Sequence, residues 1–379
     1  MANILKIGNR VLKIGGRILR GDSGSSPVDP YNPLGLPPYT IRCKFDSGYT
    51  PSMGDSQTLV DAGENIWDIY KNSTDWSELF ASNEGIPYLL AVLGANTTGV
   101  TNMSTMFYYQ HDFTSVSIFD TSSCTNMSYM FSACDSLTSV PLFNTSSCTD
   151  IRNIFGDCTS LTTVPLFDTS SCTNMSSMFS GCTSLTTVPL FDTSSCTNMS
   201  SMFSSCMALT SVPLFDTSSV TDMNYMFSDC TSLTSVPLFD TANVTDMNGT
   251  FAYCNSLTTV PLFNTSSVTF MTYMFHGSGI TTLPLFDISS CMYMSYAFED
   301  CYSLGSIPLF DTSNAEDVEH MFYNCQSVQS GALALYQQMS TQSNPPAYHA
   351  GCFYNCGSNT QTGAADLAQI PSDWKQPDE

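Results

Sequence analysis

His349, Cys352 and Cys356 stand close enough in sequence to start a zinc site. Zinc takes four nitrogen, sulfur or oxygen ligands in a tetrahedron, and no fourth ligand is evident near these three. The other histidines, His111, His276 and His320, form no H-E-x-x-H pair. There is no G-x-S-x-G elbow, phosphate loop or dinucleotide fingerprint. Glu316, Asp317 and Glu319 cluster, but paired carboxylates turn up in any acidic chain. A more orderly set is Asp120, Asn144, Asp168, Asp192, Asp216, Asp240, Asn264, Asp287 and Asp311. Stacked carboxylates repel unless each accepts hydrogen bonds. An Asx turn onto the following Thr-Ser supplies them and tolerates asparagine, whereas a cation ladder would favour aspartate throughout. The expectation is no enzyme, no metal and no cofactor.

Charge excludes further classes. The 379 residues carry a net charge of −23. Five of the ten basic residues, Lys6, Arg10, Lys13, Arg17 and Arg20, lie in the first 20 positions, where there is no acid. From Thr97 to Gln326 the only basic residue is Arg152. Such a body repels phosphate backbones and anionic lipid heads, so nucleic acid is not an expected partner. No segment has the roughly 18 apolar residues of a membrane span, and the N-terminus lacks a continuous apolar signal core.

What must position any functional group is a repeat. LTTVPLFDTSSCTNMSSMFSGCTS at 161–184 is nearly copied at 185–208. The phenylalanine of the M-F pair recurs at Phe107, Phe131, Phe155, Phe179, Phe203, Phe227, Phe251, Phe275, Phe298 and Phe322, every 24 residues with one step of 23. Met175, Met178, Phe179 and Cys182 are spaced as one face of a short helix. L-x-x-V-P-L at 161–166 reads as a short strand, although Pro165 removes a ladder donor. The expected fold is an α/β solenoid, a leucine-rich-repeat-like stack of about ten 24-residue strand–turn–short-helix units between caps. End units that pack less fully would lose less when their anchor phenylalanine is truncated.

Aligned on the anchor, the sixteen cysteines fall mostly into two columns. Seven before the anchor, cysteine trades with valine and alanine, as at Val100, Cys172, Val220 and Ala315. Three after it come Cys134, Cys158, Cys182, Cys206, Cys230, Cys254, Cys301 and Cys325, and some lack a partner in the first column. This predicts buried thiols rather than obligate bridges.

The organisation is a basic heptad-repeat anchoring segment at 1–21, a Pro/Gly/Ser linker at 22–38, an N-terminal cap at 39–96, the solenoid at 97–326 and a C-terminal cap at 327–379. In the last, GALALYQQMS reads as a helix and CFYNC echoes the repeat motif MFYNC.

Columns under no packing constraint are where a binding surface can evolve. Two before the anchor the series runs Thr105, Tyr129, Asn153, Ser177, Ser201, Tyr225, Gly249, Tyr273, Tyr296, His320. Tyrosine is a large, stiff ring with a polar tip. The richest tract is Tyr225, Tyr253, Tyr273, His276, Tyr293, Tyr296, Tyr302, His320 and Tyr323, beside Glu299, Asp300, Asp317 and Glu319. Rings beside carboxylates suit sugars or a protein partner; a permissive surface decorated with tyrosine is the other reading.

FDTSSVTDMNYMFSDC at 215–230 resembles the repeat of BspA-like leucine-rich-repeat surface proteins, shared with mycoplasma-type lipoproteins, and the resemblance covers about 97–326. It implies extracellular attachment and brings no catalytic residues. The basic N-terminus and Pro-rich linker resemble the anchoring end of phage tail or head fibres. The expected function is a virion-surface protein that docks through its N-terminus on other virion proteins and presents the solenoid to bacterial surface glycans or proteins. The alternative is a bacterial cell-surface adhesin, and a homo-oligomer is left open.

Overall fold

A computed structural model describes residues 32, 34–46, 57–80 and 89–377. The anchoring segment with Lys6, Arg10, Lys13, Arg17 and Arg20 lies outside the described residues, as does most of the linker. The first element is a five-stranded sheet: β1 (Thr40–Phe45), β2 (Gln57–Gly63), β3 (Ile66–Lys71), β4 (Leu89–Asn96) and the two-residue β5 (Ser115–Val116), in the order β2-β3-β1-β4-β5. Ile41, Cys43 and Phe45 alternate inward along β1, as a half-buried strand requires. Glu64 and Asn65, both at positive φ, form the tight two-residue connection between β2 and β3. β5 belongs to the first coil and pairs parallel with β4, so the sheet hands directly onto the stack.

From there the chain winds as a solenoid whose coils are joined by single parallel bridges. The bridges run from Asp75↔Asn102 through Asn174↔Asn198 and Phe270↔Tyr293 to Asp317↔Tyr348. The expected strand and helix of each unit are not what form. Among the described residues, 117–330 hold no helix and no strand longer than one bridge. The bridge falls at Asn174, not in 161–166, where Pro165 has no N–H to give; beyond β5, only the last coil bridges in the equivalent stretch, at Ser306↔Ser330.

The stretch expected to be helical is a run of turns. Met175, Ser177, Phe179 and Gly181 donate their N–H groups to carbonyls of the next coil at Asn198, Ser200, Met202 and Ser204. Met178, Ser180 and Cys182 close short turns onto Met175, Ser177 and Phe179. Alternate amides therefore point along the stack, whereas an α-helix keeps them all within one segment. The reversals need a left-handed residue at two columns, such as Ser177 (φ 54°) and Gly181 (φ 74°). The burial read from the spacing is nonetheless observed: Met175, Met178, Phe179 and Cys182 are all inside.

Two phenylalanine files fill the core. Anchors stack on anchors, with Phe179–Phe203 and Phe203–Phe227 ring centroids 5.7 Å apart. The P-L-F phenylalanines pack against them, as Phe203 does with Phe215 at 6.1 Å. The anchor file does not stop at the repeats. Phe80 stacks on Phe107 at 5.4 Å and Phe353 on Phe322 at 6.0 Å. All sixteen cysteines are free and buried. Those after the anchor donate S–H to the previous coil's phenylalanine carbonyl, as Cys182 does to Phe155 O at 3.0 Å. Buried Thr169 and its equivalents donate to the next coil's Asp carbonyl, Thr169 to Asp192 O at 2.7 Å. Past the coils lie α1 (Ala332–Thr341), over GALALYQQMS, then α2 (Gln361–Gln369) and a 3-10 turn at Ser372–Trp374.

Candidate binding face

The freely varying column two before the anchor is left-handed in every coil: Tyr225 at φ 52°, Tyr273 and Tyr296 at 60°, His320 at 54°, Ser177 at 54°. A second such column lies two after the anchor. It holds Tyr109, Ala133, Asp157, Gly181, Ser205, Asp229, Tyr253, Gly277, Asp300 and Asn324, of which the glycines, aspartates and asparagine are types that tolerate positive φ. In the first column bulky rings recur at Tyr129, Tyr225, Tyr273, Tyr296 and His320, most of them in the later coils. A left-handed L-residue costs roughly 1–2 kcal/mol, and the ring adds nothing that the turn requires.

The rings make one continuous file. Tyr273 and Tyr296 stack with centroids 4.8 Å apart. Tyr296 meets the edge of His320 at 4.9 Å, His320 lies 4.7 Å from Tyr323, and Tyr323 stacks on Tyr354 at 4.5 Å. On the other flank, His276 sits edge-on to Tyr273 and Tyr253. Its Nε2 is 2.8 Å from the Tyr253 hydroxyl. Glu299 is held between two imidazoles: its Oε2 is 3.0 Å from His276 Nδ1 and its Oε1 3.9 Å from His320 Nδ1. Neither nitrogen is aligned for a hydrogen bond.

Glycine makes room where a ring must lie flat. A Cβ on Gly249 would come within 2.4 Å of the Tyr225 ring, and one on Gly277 within 2.8 Å of the Tyr253 ring. Tyr225 and Tyr253 thus cover the next coil's glycine and stay exposed at 41% and 44%. Tyr302 is exposed beside Asp300, whose carboxylate also accepts from Asn324 Nδ2 at 2.9 Å. Burial, reinforced by the field of Glu299, pushes the Tyr253 and Tyr273 phenols above their ordinary value. They therefore remain neutral O–H donors.

Tyr293 is not part of this file. It sits in the bridge column, stacked on Phe270 at 5.3 Å. Asp317, in the same column, accepts the Glu319 N–H in an Asx turn. Glu319 lines an open cleft of about 370 Å³ with Tyr348, His349 and Asp373. Tyr354 was missed because the repeat was ended at 326, although CFYNC places it in the Tyr323 column. The zinc-like trio is spread out: the His349 ring stacks on Trp374 at 4.2 Å, while Cys352 and Cys356 are in the core. The aspartate ladder forms Asx turns, with Asp168 Oδ1 accepting from Ser170 N–H and Oγ.

Several solved leucine-rich-repeat proteins are similar to this chain. One from T. pallidum is 22% identical, with 48% of this chain and 72% of that one covered and a TM-score of 0.32. A leucine-rich cell surface protein of Faecalibacterium prausnitzii is 20% identical, with 76% and 90% covered and a TM-score of 0.39. A leucine-rich-repeat protein of Eubacterium ventriosum is 16% identical, with 66% and 87% covered and a TM-score of 0.31. No curated protein matches. The family described as "Mycoplasma protein of unknown function, DUF285" matches at 74–187, 162–259 and 234–336, which is more than half of the sequence. The repeat at 215–230 had pointed toward such proteins, and the chain belongs to this family.

Proposed function

We propose that the solenoid is a non-enzymatic attachment module whose ring file on the later coils binds a bacterial surface glycan. The observation that carries this is the occupancy of the left-handed column. Tyr225, Tyr273 and Tyr296 stand where the backbone favours glycine or asparagine, and the almost identical coils at 161–208 hold serine there. Strained positions filled against their preference collect at working surfaces. Tyr225 and Tyr253 lie flat with one face to solvent, which suits the apolar face of a sugar ring. Asp300 and the phenol hydroxyls supply acceptors and donors for its hydroxyls.

Changing Tyr273 and Tyr296 together to serine leaves the melting temperature within a few degrees and lowers binding to the target polysaccharide at least tenfold. Binding to a panel of purified bacterial surface polysaccharides measures it. Unchanged affinity in the folded double variant removes the assignment, and binding to a surface protein but to no polysaccharide replaces the glycan with a peptide ligand.

A second reading concerns the carrier. The segregated basic segment at 1–21 and the linker at 22–38 favour mounting on a virion, with Lys6, Arg10, Lys13, Arg17 and Arg20 facing its proteins. Capsid and tail genes beside this one support the virion; their absence leaves the bacterial cell surface.

A further inference from the structure

The core columns leave one apolar residue of each coil outside. Leu142, Leu166, Leu190, Leu214, Leu238, Leu262, Leu285 and Leu309 are 54–61% exposed. Their outward position is built into the backbone. In the coils from 189 onward the phenylalanine after each leucine donates its N–H to the preceding proline carbonyl, as Phe215 does to Pro213 O at 3.0 Å. Each leucine from Leu190 onward is therefore the apex of a three-residue turn, and its side chain cannot fold back into the core. With coils about 4.8 Å apart, the eight leucines form a ridge roughly 34 Å long.

That ridge is large for a monomer. At about 0.8 kcal/mol per buried CH₂ and 25 cal/mol/Å², each side-chain carbon covers about 30 Å². Four carbons on eight leucines, a little over half exposed, leave about 600 Å² of contiguous apolar surface, the upper end for a monomer. The half-buried prolines alongside bring it near the roughly 800 Å² per partner of a stable interface.

We infer that the leucine ridge is a dimer interface, occupied by the same ridge of a second copy running in the same direction. An identical ridge is the partner whose leucines recur at the same interval. Charge sets the direction. Downstream of the ridge in six of its eight coils is an exposed carboxylate, as at Asp168, Asp192, Asp216 and Asp240, with Asn144 and Asn264 in the other two. Upstream are exposed uncharged hydroxyls, such as Thr162 with Thr163 and Thr210 with Ser211. A two-fold axis along the ridge keeps the copies parallel and lays each aspartate file against the partner's hydroxyl file. A two-fold axis across the ridge makes them antiparallel and sets aspartate against aspartate, which is repulsive. The serine hydroxyls hold Asp192 and Asp216 below the usual carboxylate range, so the file stays charged at neutral pH.

Sedimentation velocity on the full chain tests the interface. A dimer is expected at micromolar concentration, and Leu190→Glu with Leu214→Glu and Leu238→Glu is expected to weaken it at least a hundredfold with an unchanged melting curve. A short bismaleimide tests the direction without disturbing the ridge, since the native thiols are buried. Leu142→Cys alone is expected to crosslink to itself. A monomeric full chain, including one whose ridge is covered by its own residues 1–31, overturns the interface, and so does a dimer indifferent to the three substitutions. Crosslinks that appear only when Leu142→Cys and Leu309→Cys chains are mixed overturn the parallel direction.

Discussion

The coil around Ser177 and the coil around Tyr273 share one backbone and differ in what hangs from it. Both put their left-handed residue at nearly the same φ, 54° and 60°. Both bury two methionines and the anchor phenylalanine. In the first coil the outward residue is a serine; in the second it is a ring stacked on Tyr296. Inward columns are therefore fixed by the need to fit the next coil, while outward columns are free to take up function. Each prediction below presses on one side of that division.

The largest effect concerns the shared interior. Burial pushes the thiols of Cys124 and Cys196 up to about 11, and those of Cys172, Cys230 and Cys291 up to about 12, from an ordinary 9.0. A thiol whose pKa is higher folded than unfolded stabilises the fold fully below pH 9. That contribution shrinks as the unfolded chain's thiols ionise and is lost as pH rises through 11 to 12. A two-unit shift is worth about 2.7 kcal/mol, so a few such thiols match the 5–15 kcal/mol of an ordinary domain. Tyrosines raised by burial add in the same direction. Thermal melts followed by circular dichroism should be flat from pH 7 to 8, fall through pH 9 and collapse before pH 12. A midpoint that holds through pH 11 contradicts the buried, reduced core.

Next comes the anchor file. Phe203→Ala should cost about 3–5 kcal/mol, since the ring is stacked on both neighbours and leaves a cavity. The sequence alone led us to expect smaller losses at Phe107 and Phe322. The structure removes the reason, because Phe80 and Phe353 continue the file beyond both. The three losses should agree within about 1 kcal/mol in denaturant titrations. A loss at either end below half that at Phe203 shows that the flanking stacks do not support it.

That revision shows what was legible. Periodicity revealed which residues face inward, because burial repeats whatever the backbone does. It did not reveal the backbone. Spacing of i, i+3, i+4, i+7 fits a helix, yet Met175 to Cys182 satisfies it with alternating turns whose amides reach the next coil. Hydrogen bonds between coils leave no trace in a single repeat. Leu166 is a related case: L-x-x-V-P-L looks like a strand, whereas the stretch forms none and Leu166 faces outward. The ring file was largely legible, since a column that varies while its neighbours do not announces itself. Tyr293 was drawn into it by composition alone, because the reading counted tyrosines near the later coils rather than their columns.

A smaller effect separates the two cysteine columns. Cys182 donates S–H to the Phe155 carbonyl, which also accepts the Cys158 N–H, so Cys182→Val removes one of its two hydrogen bonds, in a column that no coil fills with valine, and should cost about 1 kcal/mol. Cys172→Val also gives up an S–H bond, to the Cys148 carbonyl at 3.1 Å, but it places a residue that other coils already hold at Val220 and Val244, and should change stability by less than about 0.5 kcal/mol. Equal losses in denaturant titrations contradict a distinct role for the second column.

The smallest effect decides whether the rings serve the fold or the surface. Ser201 is left-handed at φ 53°, and glycine stands in the same column at Gly249. Ser201→Gly relieves about 1–2 kcal/mol of backbone strain and loses part of that to glycine's greater freedom when unfolded, for a net gain of about 0.5–1 kcal/mol. Tyr273→Gly relieves the same strain but removes a stack worth about 0.5–1.5 kcal/mol. The two terms nearly cancel, so a ring kept for binding can be removed with a stability change within about 1 kcal/mol. A ring kept as structural cement behaves otherwise: its loss exposes Tyr296 and loosens His276 and Glu299, and the variant melts several degrees lower. Paired melts of Ser201→Gly and Tyr273→Gly make the comparison. A gain in the first and near-neutrality in the second leave the tyrosine file free for an external ligand, whereas a large loss in the second returns it to the architecture of the coil.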